Sequence, residues 1–434
     1  MTECESCKHI LERIERLEQK NSQLEKENKD LKAMLAAYEN SNTPPSQRRF
    51  FPSKPMRSNG KPGQKEGHEG ITRPQAEPDR TIKVTASVCP HCKSRLRLMR
   101  TERRVIEDVP IIRQKIVTEF LVSHYLCRGC GREVVPSHPD LPKTGRFGKS
   151  VTAETTAMKF CDRLTYDKIV GALARHGIDI SSATILDLAN RATNAMRPEY
   201  EAIMRRVRTA KVVYSDETGL KVGGKSCWIW VFVSGNDVLV VVADSRGKKV
   251  IESTLGKDFR GIIVCDGWKP YSSFTDRIQR CWAHLLREAD DLADDKKCDE
   301  EAKRLAKELH SMFDECEGML GKDPPPDVRE QVWTAMSARM KRLVEMDYRS
   351  KAAKKFAEKI GNGFDYWFTF VLNPGVEPTN NIAEGAIREH VVHRKIIGTL
   401  RNEKGMRIHE TAMSVFQTQQ NMGLNPYEEL LKVL

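Results

Sequence analysis

Residues 211–219 read as a short buried strand that ends in Asp216. A second apolar run, residues 261–267, ends in Asp266. A third acid, Glu384, follows Pro378, Asn380 and Asn381, which are helix-start residues, so it falls in the first turn or so of a helix. Carboxylates are hard oxygen donors and suit Mg²⁺ or Mn²⁺. Two such ions activate an attacking oxygen and stabilise a leaving one in an in-line phosphoryl transfer. Each acid alone has an ordinary explanation, as a turn residue or as an acid favoured by the helix dipole. The combination is what points to a site. Glu217 is read as a neighbour of Asp216 rather than a ligand, and Arg388 shares a helix face with Glu384.

A second set of candidate ligands lies upstream. Cys89-Pro90-His91-Cys92 and Cys127-Arg128-Gly129-Cys130 each put two thiolates on a tight turn, and four thiolates fit a tetrahedral structural Zn²⁺ site. The Val- and Ile-rich stretch 104–125 between them predicts strands, hence a zinc ribbon. His91 is read as a bystander. Cys4, Cys7 and His9 form a weaker trio that a coiled-coil dimer could share. Between residues 48 and 65 stand Arg48, Arg49, Lys54, Arg57, Lys61 and Lys65 with no acid, a basic arm suited to phosphates.

The elements that must position these groups follow from the hydrophobic pattern. In residues 10–39, Ile10, Leu17, Leu24, Leu31 and Tyr38 share one heptad position, and Ile14, Asn21, Asn28 and Leu35 the other. That seam predicts a coiled coil; a single amphipathic helix packed on its own chain is the alternative. Residues 41–80 are a Pro- and Gly-bearing linker. Residues 150–208 read as helices, with a Gly177 turn and a cap at Ser181 or Ser182, the outline of a helix-turn-helix. The segment 183–194 carries one cation, Arg191, so a helical hairpin with a packing role stands beside it. Strands are expected at 212–215, 226–234, 238–244, 262–265 and 278–282, with a helix at 246–255. Three strands, a helix and a fourth strand bearing a carboxylate is the order of a ribonuclease H-like sheet. Residues 286–375 read as a helical insertion.

The totals agree with this division. A chain of 434 residues exceeds one ordinary domain. Its net charge of +12, from 72 Lys and Arg against 60 Asp and Glu, favours an anionic partner, nucleic acid above all. The longest aliphatic run, 238–243, is far too short to span a bilayer, and the acidic, polar start has no signal core, so a cytosolic protein is expected.

These residues together resemble the insertion-sequence-66 family of transposases, whose core is an Asp-Asp-Glu ribonuclease H-like domain. The resemblance runs from the N-terminal coiled coil through residues 59–68 and the cysteine pairs, with Asp108-Val109-Pro110 between them. It continues through Ser215-Asp216-Glu217-Thr218, Cys265-Asp266-Gly267-Trp268 with Tyr271, and Cys281-Trp282-Ala283-His284. It ends with Asn380-Asn381-Ile382-Ala383-Glu384 and the downstream Arg394, Lys395 and Gly398. Gly385 stands where the family often has Arg, and Arg388 is the nearest replacement charge.

The resemblance implies a multidomain protein: coiled coil (1–40), basic flexible linker (41–80), zinc ribbon (81–145) and a helical DNA-binding or packing domain (146–208). The catalytic core would then run from 209 to 285, a helical insertion from 286 to 375, and the rest of the core with C-terminal helices from 376 to 434. It implies that Asp216, Asp266 and Glu384 hold two Mg²⁺ (or Mn²⁺) ions, cut transposon ends and join the 3′-hydroxyl to target DNA. Arg388, Arg394 and Lys395 would contact phosphates, and His284 would orient a phosphate or a ligand or else form a buried structural pair with Cys281. Expected partners are transposon-end and target DNA, further copies of the chain through the coiled coil, and helper proteins of the same element, at the nucleoid and not at a membrane. The alternatives are a metal-dependent nuclease without strand transfer and a non-catalytic zinc-ribbon regulator.

Overall fold

The computed structural model describes residues 17, 20–25, 81, 91, 115–142, 144–294, 300–321 and 323–434. The chain divides into two compact units, Met1–Ile111 and Ile112–Leu434. Within the first, residues 17 and 20–25 are helical, and Leu17 and Leu24 of the heptad seam are exposed. The basic arm, Cys4, Cys7, His9, Cys89 and Cys92 lie outside the described residues.

The second unit begins with a small hairpin, β1 (Tyr125–Leu126) and β2 (Glu133–Val134), closed around Cys127 to Cys130. Of the stretch expected to form strands before it, residues 104–114 lie outside the described residues, and 115–124 have no regular structure, with Ile116, Val117 and Leu121 exposed. Helices α1 (Lys149–Phe160), α2 (Tyr166–Ala174) and α3 (Ser182–Arg208) follow. Ser181 caps α3 by accepting from Thr184 N at 3.2 Å. The helix then runs far past residue 194, because Ile185, Leu188, Ala192, Met196, Tyr200, Ile203 and Val207 recur at helical spacing and are buried. Arg191, the one cation of 183–194, donates to the carbonyls of Thr144 and Phe147. Arg191 is thus engaged within its own chain.

A five-stranded sheet forms the centre, in the order β5-β4-β3-β6-β7. Its strands are β3 (Val212–Val222), β4 (Lys225–Ser234), β5 (Asp237–Ala243), β6 (Ile262–Cys265) and β7 (Ile278–Arg280). The first three pair antiparallel; β6 and β7 run parallel to β3. Helix α4 (Lys248–Leu255) connects β5 to β6, and α5 (Lys269–Phe274) connects β6 to β7.

One expected boundary is corrected. Strand β3 does not end at Asp216 but continues to Val222, because Gly223 and Gly224, both at positive φ, close a tight hairpin that keeps it paired to β4. The fifth strand is also shorter than expected, since Trp282 already opens the next helix.

Helices α6 (Trp282–Ala293), α7 (Glu300–Leu320), α8 (Pro326–Val344), α9 (Lys351–Gly361) and α10 (Thr369–Leu372) fill the region between β7 and the third acid. Trp282, buried against Phe313, Trp367 and Phe368, ties them to the sheet. The chain ends with α11 (Asn381–Ile397), α12 (Glu403–Asn421) and α13 (Pro426–Val433). Among the described residues no helix is long and apolar enough to cross a membrane.

Helix α12 covers the edge of the sheet. Strand β5 has a partner on one side only, so the N–H groups of Val238, Val240 and Val242 face away from β4. They donate to Thr418 Oγ1 (2.9 Å), Ser414 Oγ (2.8 Å) and Glu410 Oε1 (2.6 Å), one helical turn apart. A buried edge thereby keeps its hydrogen bonds. Thr418→Val preserves shape and leaves Val238 N–H unpaired, so it should cost about 1–3 kcal/mol of stability, read from the shift in urea midpoint.

A histidine cluster joins α11 to α1 and α12. His390 Nδ1 lies 3.1 Å from His409 Nε2, the rings of His393 and His409 stack at 5.2 Å, and His393 Nε2 donates to Lys159 O at 3.3 Å. Burial pushes His390 down to about 3 and His393 to about 4, and depresses His409 as well. Such groups add stability above the unfolded histidine value, near 6.5, and lose it as pH falls. Burial raises Glu410 and Asp216, which gives those acids the opposite slope. Comparison with a variant cancels their contribution. The stability deficit of His409→Leu should therefore shrink from pH 7 to pH 5, by up to about 1.4 kcal/mol per pH unit, in urea unfolding at several pH values.

Candidate active site

Strand β3 outruns its parallel neighbour. Pairing with β6 covers Val212 to Tyr214 only, and Asp216 lies two residues beyond. On that side the backbone of β3 needs other partners, and a distant segment supplies them. Asn380 Nδ2 donates to Ser215 O at 2.9 Å, Arg394 Nη1 donates to Gly219 O, and Leu400 N donates to Lys221 O at 3.0 Å. Gly223 N returns a bond to Leu400 O at 2.8 Å. Docked in this way, α11 carries Glu384 in its first turn to the place where β3 and β6 part.

Asp266 follows the last residue of β6, and its Oδ1 accepts from Trp268 N at 2.8 Å. Asp216 Oδ1 accepts from Glu217 N at 2.8 Å. Burial first, then the negative charges of Glu217, Asp266 and Glu384, push Asp216 up to about 7, although the Glu217 amide opposes them. Asp216 thus feels the charge of both other acids. Glu384 Oε1 is buried and accepts no hydrogen bond; its contact is with His284 Nδ1 at 3.4 Å. Crowded carboxylates short of donors are a donor set that fits hard divalent cations.

Glu217 has a different role. Its carboxylate pairs with Arg246 (Nη2 at 2.7 Å, Nε at 2.8 Å) and accepts from the Tyr271 hydroxyl at 2.7 Å. Burial raises its pKa and these two partners oppose the rise. The Tyr271 oxygen is also 3.1 Å from Ser215 Oγ. Arg246 in turn lies over Trp268 at 4.1 Å and Trp228 at 5.0 Å, and Trp268 Nε1 donates to Arg246 O. This network joins strand β3 beside Asp216 to the turn that follows Asp266. Sequence reasoning missed Arg246; the only local signal was a cation just after a buried strand.

The basic residues of α11 separate. Arg388 and Lys395 are exposed. Arg394, read from sequence as a phosphate contact, is half-buried and spent on Gly219 O and Thr218 Oγ1, because the open side of β3 needs a donor there. Gly385 is exposed, and a side chain there would meet open space.

A sequence model described as the transposase IS66 family matches residues 144–408, more than half of the chain. The chain belongs to the IS66 transposase family. The match takes in the central sheet, all three acids and the helices between them.

Three curated relatives of this IS66 member come from Sinorhizobium fredii (strain NBRC 101917 / NGR234). Uncharacterized protein y4qI is 24% identical over 70% of this chain and 62% of its own length. Uncharacterized protein y4jD is 22% identical over 82% of this chain and 76% of its own, and y4hP is 23% identical over 82% and 72%. The chain thus spans less than two thirds of the first of these relatives.

At the other candidate metal site, Cys127 and Cys130 lie on the knuckle of the first hairpin. Gly131 N donates to Cys127 O at 2.8 Å, and Cys127 N to Arg132 O at 2.9 Å. Hydrogen bonds from Cys130 and the Gly129 amide hold the Cys127 thiol below its usual range, which suits a thiolate ligand.

The Glu217 network yields a prediction. Tyr271→Phe removes a buried hydrogen bond to a carboxylate, and the expected loss is about 1.5–3 kcal/mol, measured as a lower urea midpoint with unchanged slope.

Proposed function

We propose that this transposase cleaves the ends of its element and joins the freed 3′-hydroxyl to target DNA, with Asp216, Asp266 and Glu384 as ligands of two Mg²⁺ (or Mn²⁺) ions. The observation that carries the reading is placement: Asp216 lies two residues past the end of the β3–β6 pairing, Asp266 directly follows β6, and Glu384 stands in the first turn of the helix whose Asn380 docks on Ser215 O. The sheet order, three antiparallel strands then two parallel ones, supports assigning the core as ribonuclease H-like. When bound, the ions supply positive charge at the attacking and leaving oxygens.

The protein's own part is positioning. Asp216 is held on a strand paired to β4 from Tyr214 to Val222, Asp266 by its turn to Trp268, and Glu384 by the helix docked through Asn380 and Arg394. Arg388 and Lys395, exposed on the same helix, are proposed to contact DNA phosphates, with Arg394 as a positioning residue. The basic arm from Arg48 to Lys65 adds salt-dependent affinity, and the heptads of residues 10–39 pair copies of the chain. Cys89, Cys92, Cys127 and Cys130 hold a structural Zn²⁺ in a ribbon domain. The domain boundaries expected from sequence, a need for helper proteins and a location at the nucleoid belong to the same proposal.

The test is Mg²⁺-dependent cleavage and joining on a duplex that carries the element's ends. Asp216→Asn, Asp266→Asn and Glu384→Gln should each lower both activities by more than about 100-fold, beyond the loss typical of an outer-shell metal partner. Retention of activity in any of them would sink the triad assignment. Cleaved ends without joined product would mark a nuclease instead.

A further inference from the structure

The third acid also stands in a second ligand set. Cys281 precedes α6 as its cap residue, His284 lies in its first turn, and Glu384 lies in the first turn of α11. One donor atom from each falls within 4.8 Å of the others. The two helices start side by side because Trp282 N donates to Pro378 O at 3.0 Å and Asn380 N donates to Cys281 Sγ at 3.1 Å.

The spacing of the donors carries the argument. His284 Nδ1 and Glu384 Oε1 are 3.4 Å apart without a hydrogen bond between them. Zinc–nitrogen and zinc–oxygen bonds of about 2.0–2.2 Å, opened to the tetrahedral angle, set two donors about 3.3–3.5 Å apart. A distance poor for a hydrogen bond is right for two ligands of one ion. Cys281 is buried and supplies sulfur, whereas the His284 side chain is 44% exposed and leaves a way in from solvent. Sulfur, nitrogen and oxygen together select a softer ion than the all-oxygen set of Asp216, Asp266 and Glu384.

We propose that Cys281, His284 and Glu384 form a binding site for one thiophilic divalent ion of the zinc type, with water as fourth ligand. The ion replaces the proton of the Cys281 thiol, which leaves to solvent, and no electron is transferred. Because Glu384 serves both sets, zinc here displaces the hard ions and switches off DNA cleavage. This last consequence rests on the function proposed above; the binding itself does not.

The experiment uses the full chain, stripped of loosely held metal and titrated with Zn²⁺ alone against a chromogenic chelator. Wild type should take up one ion more than Cys281→Ser or His284→Ala. Ions held by Cys89, Cys92, Cys127 and Cys130 are common to all three and cancel. Co²⁺ should give a thiolate charge-transfer absorption that is weaker in Cys281→Ser. Equal stoichiometry in wild type and His284→Ala, whose exposed side chain makes it the safer variant to fold, overturns the site.

In the activity arm, Zn²⁺ added at fixed Mg²⁺ should inhibit wild type, and Cys281→Ser should need at least about 100-fold more zinc for the same inhibition. Equal zinc sensitivity overturns the competition. A wild type with no Mg²⁺-dependent cleavage refutes the function proposed above, while the stoichiometry still decides the site.

Discussion

The structure depends on a mismatch in strand length. Strand β3 has 11 residues and its parallel neighbour β6 has 4. Beyond Tyr214 the open side of β3 would leave buried backbone groups without partners, and each such group costs about as much as a lost hydrogen bond. The segment from Asn380 to Leu400 meets this need with an amide, a guanidinium and a short stretch of parallel pairing. Asp216 sits at the point of divergence, so whatever fills the gap arrives beside it. Backbone satisfaction and assembly of the three acids are thus one event, since the helix that completes the hydrogen bonding is the helix that bears Glu384.

Electrostatics then sorts four acids into two groups. Glu217 points into the interior and meets Arg246 and Tyr271, so its charge is answered by the protein. Among the described residues, Asp216, Asp266 and Glu384 form no ion pair with Lys or Arg; Glu384 has His284 Nδ1 at 3.4 Å. Arg246 could not serve both groups, because its two bonds to Glu217 and its seat between Trp228 and Trp268 fix its direction. The result is a charge-paired couple, Glu217 with Arg246, beside acids that have no Lys or Arg ion-pair partner among the described residues. That contrast lets neighbouring residues 216 and 217 differ in role.

Much of the sheet was legible in the sequence, because strand and turn signals are local. The β-branched runs, the acids that follow them and the Asn380-Asn381 helix start all lay within a few residues of the features they specify. What escaped was the set of partnerships between distant residues. Nothing in residues 215–221 announces that Asn380, Arg394 and Leu400 will complete their hydrogen bonds, and so β3 read as ending at Asp216. Thr418, Ser414 and Glu410 carry no local mark of their bonds to the edge of β5. Arg394 read as a free cation for the same reason: its acceptor, Gly219 O, is a backbone group with no side-chain signature. The histidines at 390, 393 and 409 gave no sign of sharing one buried cluster.

The helical segment between the second and third acids poses a last question, how so long an excursion leaves the site undisturbed. Its ends answer it. Trp282 N, at the start of α6, donates to Pro378 O, just before α11, and Asn380 N donates to the sulfur of Cys281. The excursion leaves and returns through one hydrogen-bonded point. Leu309, Met312, Met340 and Phe356 are buried in the same core cluster as the sheet, and that burial offsets the ordering of the helices. The entropic cost of closing a loop grows only with the logarithm of its length, so extra residues here add little strain to the closure. Geometry at Glu384 is then set by the closing contacts and by the docking of α11 on β3. The helices in between are free to serve another purpose, provided the two ends stay together.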